Sequence, residues 1–370
     1  MRFTLSTKPL ADALNLGIIN GNISKFYSKS CIAQLTASKH ELKINLEANR
    51  VYTEVLLKGS GDEDSTVTTF VDCLLLKQLV NTFETSTVTI EYVDGGITIH
   101  SGSSKFNLPK SVQLDGQEYS LKAPALPEAG SPSVQINKSD WKFISDYQMY
   151  AIATSFVYPI YTRVWVGDDG TVLIGDFSQQ IFTTSKKSPL GKTCLIEETI
   201  VNLFNAVPDN ATLSQVGSNY VINVKTDGFE YAAEFSPLYE SDEGVGSYKS
   251  EAILGAMASD ETNNFAVSVP AVTNTLSQAE LLANSGDDSV QLSLEGKELR
   301  IKAENVDVRI PVEGECAPFK ADFKMSLIRP LMSNIDEETV KISPVVDESG
   351  VTAGIIAWTK TLKVMLGGEE

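Results

Sequence analysis

Three segments of the chain repeat one pattern of polar and apolar positions. Phe3–Leu14 (FTLSTKPLADAL), Val134–Ser145 (VQINKSDWKFIS) and Phe265–Leu276 (FAVSVPAVTNTL) each alternate apolar and polar residues through a short strand. Each then breaks at a polar residue of the N-cap type and continues with helical spacing. They lie 131 positions apart, twice over. A second set follows the same scheme at residues 68–83, 193–207 and 320–335, where matching Val71, Ile196 and Phe323 gives intervals of 125 and 127. Recurrence at a near-constant interval marks a repeated structural unit.

Between the predicted helices run short β-type stretches punctuated by VDGG (93–96), GDDG (167–170), TDGF (226–229), LEGKE (294–298) and DESG (347–350), turn chemistry suited to tight hairpins. Residues 123–133 (APALPEAGSPS) and 239–251 (YESDEGVGSYKSE) are rich in Pro, Gly, Ser and acid, as domain joints are. The pattern predicts an α+β protein of three repeated domains, 1–125, 126–247 and 248–370. Each would pack two helices on mostly antiparallel sheet.

Charge and chemistry narrow the function. The chain has 370 residues, 30 Lys+Arg against 48 Asp+Glu, and a formal net charge of −18. With 42% hydrophobic residues it is too apolar for wholesale disorder. It has no continuous apolar stretch of membrane-spanning length and no signal-peptide core at its start. Cys31, Cys73, Cys194 and Cys316 lie far apart with no CxxC pair, which argues against a zinc knuckle or a small disulfide scaffold. These features read as a cytoplasmic protein. His40 and His100 are the only histidines, both in strand-like sequence, so neither a zinc site nor a Ser-His-Asp triad has much to be built from. Gly191-Lys192-Thr193 lacks the earlier glycine of a phosphate-binding loop, since position 186 is lysine, and reads as a loop. Asp168 and Asp169 lack the alternating ligands of a calcium loop and read as a hairpin turn. No catalytic residue, metal ligand or cofactor is expected.

Residues 70–109 (FVDCLLLKQLVNTFETSTVTIEYVDGGITIHSGSSKFNLP) resemble the end of the first domain of bacterial sliding clamps, the beta subunit of DNA polymerase III. SGSSKFNL (101–108) carries most of the resemblance, matching a family pattern SGxSxFxL. The opening MRFTLSTKPLADAL is similar to the clamp start, and EGKELRIKAEN (295–305) to the hairpin before the last clamp helix. The similarity runs in order along the whole chain but is weak outside the first domain, which implies a diverged member such as a phage would encode. It implies a head-to-tail homodimer, a six-domain ring lined by twelve helices. Such a ring encircles double-stranded DNA without reading sequence, is opened by a clamp-loader ATPase, and tethers a replicative polymerase in the cytoplasm of a bacterium or an infected host. It would not be an enzyme.

A ring that holds DNA by topology needs a lumen that does not repel phosphate. The six helical windows 7–16, 71–83, 137–150, 197–206, 269–284 and 323–334 together carry −1 of the −18, leaving the acid in strands and loops. On the resemblance, the lumen would be lined by Lys77, Asn81, Lys138, Lys142, Gln148, Asn202, Asn274, Gln278, Lys324 and Arg329, with Lys25 and Lys29 from a loop that approaches DNA in the family. Read without the resemblance, these are ordinary solvated helix faces.

The resemblance places the dimer seam at the strand KFNLP, with Lys105, Phe106 and Leu108. Against it would stand Leu281 and Leu282 of the other subunit's third domain, with Glu304 and Asp307 as acidic partners for Lys105. The alternative is that Phe106 and Leu108 fill their own domain's core. The family's partner-peptide groove maps to Thr162, Phe177, Ser178, Ile181, Pro237, Leu362 and Met365. Here the chain departs from the family, with GDFSQQI in place of a TDGxRL-like segment and LKVMLGGEE in place of a Met-Pro-Met-Arg-Leu-like end. The Gly-Gly-Glu-Glu tail is expected to be mobile. Two other classes compete with the clamp: a non-enzymatic, β-rich structural or adhesion protein of repeated domains, and an enzyme working through Asp or Glu pairs at a domain cleft, for which there is no motif.

Overall fold

In the computed structural model of the chain, the described residues are all except 19–31, 49–50, 113–118, 138–140, 142–158, 177–180, 187–189, 240–241, 243–244, 284–287 and 369–370. β1 (Arg2–Ser6) runs into α1 (Thr7–Gly17). β2 (Ile32–Ala37), β3 (Glu41–Ala48), β4 (Val51–Gly61) and β5 (Val67–Asp72) lead to α2 (Cys73–Val80). β6 (Thr87–Val93), β7 (Gly96–Ser101), β8 (Ser104–Pro109) and β9 (Ser133–Gln135) follow. After a 3-10 turn at Pro159–Thr162 come β10 (Val164–Val166), β11 (Thr171–Asp176), β12 (Ile181–Lys186), β13 (Cys194–Ile196) and α3 (Glu198–Ala206). β14 (Thr212–Val216), β15 (Asn219–Lys225), β16 (Phe229–Phe235) and β17 (Leu238–Tyr239) precede α4 (Ser250–Ala256). β18 (Asn264–Ser268) then runs into α5 (Val269–Leu282), followed by β19 (Ser289–Glu295), β20 (Glu298–Ala303), β21 (Val306–Pro311), β22 (Glu313–Glu315) and β23 (Lys320–Lys324). α6 (Met325–Ser333), β24 (Thr339–Val346), β25 (Thr352–Trp358) and β26 (Leu362–Gly367) close the chain.

The repeated strand-into-helix pattern has a local cause. Asp72 ends β5 and its carboxylate accepts from the Leu75 N–H. Ser268 does the same for Ala271 at the head of α5. Each satisfies one of the amide donors a helix start leaves orphaned. Lys324 cannot cap α6, so Asp288 does it from outside, accepting from the Ser326 N–H at 2.8 Å and from its hydroxyl. Five of the six expected helical windows hold a helix. The sixth, 137–150, lies almost wholly outside the described residues, though Trp141 is fully buried. α4 is an addition to the expected set, because residues 239–251 read as a joint.

The chain divides into two compact units, Met1–Lys138 with Glu198–Pro237, and Ser139–Glu197 with Leu238–Glu370. Residues 126–247, expected as a middle domain, contribute to both. Their strand β16 pairs along its whole length with β4, from Phe229 opposite Leu57 to Phe235 opposite Val51, while β12 pairs with β26. The first unit holds one twelve-stranded sheet whose main path is β8-β7-β6-β1-β4-β16-β15-β14-β9. The second holds a ten-stranded sheet, β17-β13-β10-β11-β12-β26-β25-β24-β18-β22, and a four-stranded sheet, β21-β20-β19-β23. All pairings are antiparallel, and the alternation of buried and exposed residues along β1 and β18 is the alternation read in the sequence.

Four of the five turn signals place a glycine at positive φ. At Gly96 the need is absolute, since a Cβ would lie 2.1 Å from the Leu108 carbonyl oxygen. The TDGF turn works differently: the Thr226 hydroxyl accepts from the Gly228 and Phe229 N–H groups. Asp168 and Asp169 sit in the hairpin turn expected for them, between β10 and β11, with Asp169 accepting from the Thr171 N–H. His100 bonds Glu91 at 2.7 Å on the β6–β7 face, and His40 is exposed in the β2–β3 turn. Two expectations are corrected. Gly367 ends β26 and the Gly368 N–H donates to Ala353, so half of the tail thought mobile is held in the sheet. Cys73 is disulfide-bonded, although nothing in the spacing of the cysteines suggested a bridge.

Candidate nucleic-acid and partner surfaces

In the first unit α1 packs on α2. The Asn15 and Asn81 amides exchange hydrogen bonds of 3.1 and 3.0 Å across the helix pair, leaving Asn81 exposed as expected. Lys77 is a correction. It is 5% exposed, and its ammonium donates to the Ile18 carbonyl at the C-terminal end of α1. The apolar surroundings hold its pKa below the usual lysine value. A cation here satisfies an orphan carbonyl and the negative end of the helix dipole instead of facing solvent. Asn202 on α3 is half-buried.

In the second unit α5 packs on α6. Asn274 and Gln278, four residues apart, share an exposed face of α5. Lys324 is exposed at the head of α6. Arg329 donates from Nε to Glu280 on α5 at 2.8 Å, so part of its charge is already matched. The described helix faces therefore present amides together with a few cations. Lys25, Lys29, Lys138, Lys142 and Gln148 lie outside the described residues.

Two sheets end in strands with one open edge among the described residues, β8 in the first unit and β21 in the second. On β8, Lys105 is exposed and Phe106 is half-buried against Phe83, ring centroids 5.4 Å apart. Leu108 is buried in the core of its own unit, so for this residue the core reading is correct and the seam reading is not. Beside β21 the structure gathers the other expected seam residues. Leu281 is 83% and Leu282 54% exposed at the end of α5, and the Asn305 amide of the β20–β21 turn donates to the Leu282 carbonyl, next to exposed Glu304. Asp307 is already engaged: Arg300 donates to both its oxygens, at 2.7 and 2.5 Å, which holds its carboxyl well below the usual range.

The groove residues fall around one apolar cluster in the second unit. Leu173, Phe182, Leu195, Tyr248, Ile253 and Met257 form its buried part, with Ile160, Trp165, Leu254 and Met365 packed against it. Met365 stands opposite Phe182 in the β12–β26 ladder, Ile181 opposite Leu366, and Thr162 ends the turn that carries Ile160. Leu362 is buried at the start of β26. Pro237 is buried at the end of the first unit, and Phe177 and Ser178 lie outside the described residues. Sequence reasoning missed the contribution of α4. The spacing of Ile253, Leu254 and Met257 (SEAILGAM) was the available helical signal.

Among the described residues no group of three His, Cys, Asp or Glu side chains could hold a metal ion, and no helix is long and apolar enough to cross a membrane. No protein-family model and no curated protein matches the sequence. The fold, in contrast, is shared with solved proteins over the full chain. The beta sliding clamp of Caulobacter crescentus superposes with a TM-score of 0.74 at 13% identity, covering 100% of this chain and 99% of that one. The DNA polymerase sliding clamp of Bacillus subtilis does so at 0.72 and 16%, with the same coverage. The Helicobacter pylori beta clamp, solved with a DNA ligase peptide bound, gives 0.71 and 10%, covering all of both chains. From first strand to last, the chain has the fold of the bacterial DNA polymerase sliding clamps.

Proposed function

We propose that the protein is a DNA polymerase processivity factor, a non-enzymatic clamp of the cytoplasm that closes as a head-to-tail homodimer around duplex DNA. The observation that carries this reading is the match to sliding clamps over the full length of both chains, at TM-scores of 0.71–0.74. A β-rich structural protein has no need of that fold or of near-neutral helices within a chain of net charge −18.

In this reading the three clamp domains are 1–125, 126–247 and 248–370, and the ring closes where β8 of one copy meets β21 of the other. Pairing two open edges satisfies both rows of backbone donors and acceptors. Leu281 and Leu282 cover apolar surface there, and Lys105 faces Glu304. The lumen holds DNA loosely, through amides such as Asn81, Asn274 and Gln278 and through water, without reading base edges. Lys25, Lys29, Lys138, Lys142, Gln148, Asn202, Lys324 and Arg329 complete it. A partner peptide, of the polymerase or of a ligase as in the H. pylori clamp, docks beside Met365 and Leu362, and an ATP-driven loader opens the ring.

Light scattering tests the dimer. A mass near twice 40.1 kDa supports the ring, and a monomer at micromolar concentration contradicts it.

A further inference from the structure

Cys73, the first residue of α2, is fully buried and disulfide-bonded. The chain has four cysteines, of which Cys194 and Cys316 are free thiols. That leaves Cys31, which lies outside the described residues, as the partner. The sheet supports the same pairing. In the β2–β5 ladder Ile32 stands opposite Asp72, so positions 31 and 73 are the next step along the two chains. Residues opposed across antiparallel strands have Cα atoms about 4.5–5.5 Å apart, within the roughly 4.4–6.8 Å that a disulfide spans.

We infer that Cys31 and Cys73 form a disulfide that fastens the end of segment 19–31 to α2. The same helix holds the segment's other stem, because Lys77 donates to the carbonyl of Ile18. Residues four apart on a helix share a face, so one face of α2 secures the chain on both sides of residues 19–30. Formation takes two electrons and two protons from the two thiols. A low-molecular-weight disulfide of the glutathione type accepts them, its S–S bond breaking to release two thiols. The cross-link does not depend on the proposed clamp function. Its bearing on Lys25 and Lys29, which lie in the fastened segment, does rest on that reading.

The test uses the full chain, treated with oxidised glutathione or with dithiothreitol, unfolded in guanidinium chloride, alkylated with iodoacetamide and digested with trypsin without further reduction. The oxidised sample should yield peptide 30–39 joined to peptide 59–77, with alkylation at Cys194 and Cys316 alone. The dithiothreitol sample should be alkylated at all four. Alkylated Cys31 and Cys73 in the oxidised sample, or Cys73 joined to another cysteine, overturns the proposal. As a second readout, dithiothreitol should lower the thermal midpoint of the native chain by about 5 °C. It should leave a Cys31→Ser/Cys73→Ser double variant unmoved, and equal shifts in the two proteins would overturn the cross-link. DNA retention that fails in both redox states, with the joined peptide present, counts against the clamp reading and not against the disulfide.

Discussion

Arg329 Nε lies 2.8 Å from Glu280 Oε2, an ion pair that ties α6 to α5. Any phosphate approaching this arginine competes with a carboxylate already in place. Glu280→Gln should therefore tighten binding to duplex DNA and steepen its salt dependence, by roughly 0.9 in the slope of log K against log salt for each additional phosphate neutralised. Fluorescence anisotropy across a salt series checks this. An unchanged slope would put Arg329 away from the DNA.

Lys77 behaves differently because it is buried and bonded to Ile18. Lys77→Met keeps the aliphatic stem but leaves the Ile18 carbonyl without its donor. It should cost about 1–3 kcal/mol of stability. DNA affinity should not change, since the ammonium never reaches the solvent-facing side of the helix. Urea unfolding and the same anisotropy measurement separate the two effects, and a normal midpoint with weakened DNA binding would reverse the assignment.

The seam is tested by residues on either side of the fold's own core. Leu281→Asp with Leu282→Asp changes side chains that are mostly exposed in the single chain, so it should give folded monomers. Leu108→Ala, in contrast, opens a cavity in a packed core and should cost about 2–5 kcal/mol. Circular dichroism with light scattering distinguishes the outcomes. A double variant that stays dimeric would move the seam away from α5.

Glu234 latches the segment that follows the first domain. It is buried at the centre of the β15–β16–β4 sheet and accepts from the Ala125 N–H at 2.6 Å, from Lys122 at 3.3 Å and from Asn219, while Lys122 also lies 4.2 Å above the Tyr52 ring. Burial pushes its carboxyl up, and the bonds from Ala125, Asn219 and Lys122 together outweigh that push, leaving its pKa below the usual glutamate value. A lowered folded-state value means that the unfolded chain takes up the proton first as pH falls. The stabilisation is therefore complete above the ordinary carboxylate range and is lost as pH drops through the lowered value. Glu234→Gln should speed trypsin cleavage at Lys122 at neutral pH. Wild type should match the variant only in acid, where a protease active at low pH reads the same segment. Equal cleavage rates at neutral pH would show that the latch does not hold the segment.

Much of this fold is legible in the sequence because its strand-into-helix junctions are local events. Ser6, Asp72 and Ser268 each end an alternating strand at a capping residue, and the buried faces of β1, β18 and β23 follow the written pattern. The long-range features are less legible. Leu108 and Phe106 alternate as an edge strand should, but only tertiary packing decides that one is core and the other rests on Phe83. Lys77 looks like a solvated helical lysine because the carbonyl it serves is 59 residues away in sequence. The partner surface was half visible: Met365 and Leu362 follow from the resemblance, whereas α4 was hidden in a stretch whose Gly and Ser content read as a joint.

The central claim is topological, and trapping the protein on a closed circle tests it most directly. The full chain is allowed to diffuse onto linear duplex, the ends are ligated, and the products are filtered at high salt. A sliding ring should stay with the circle, and a single cut in both strands should release it. Protein that washes off the intact circle, or that remains equally on cut DNA, would contradict the clamp.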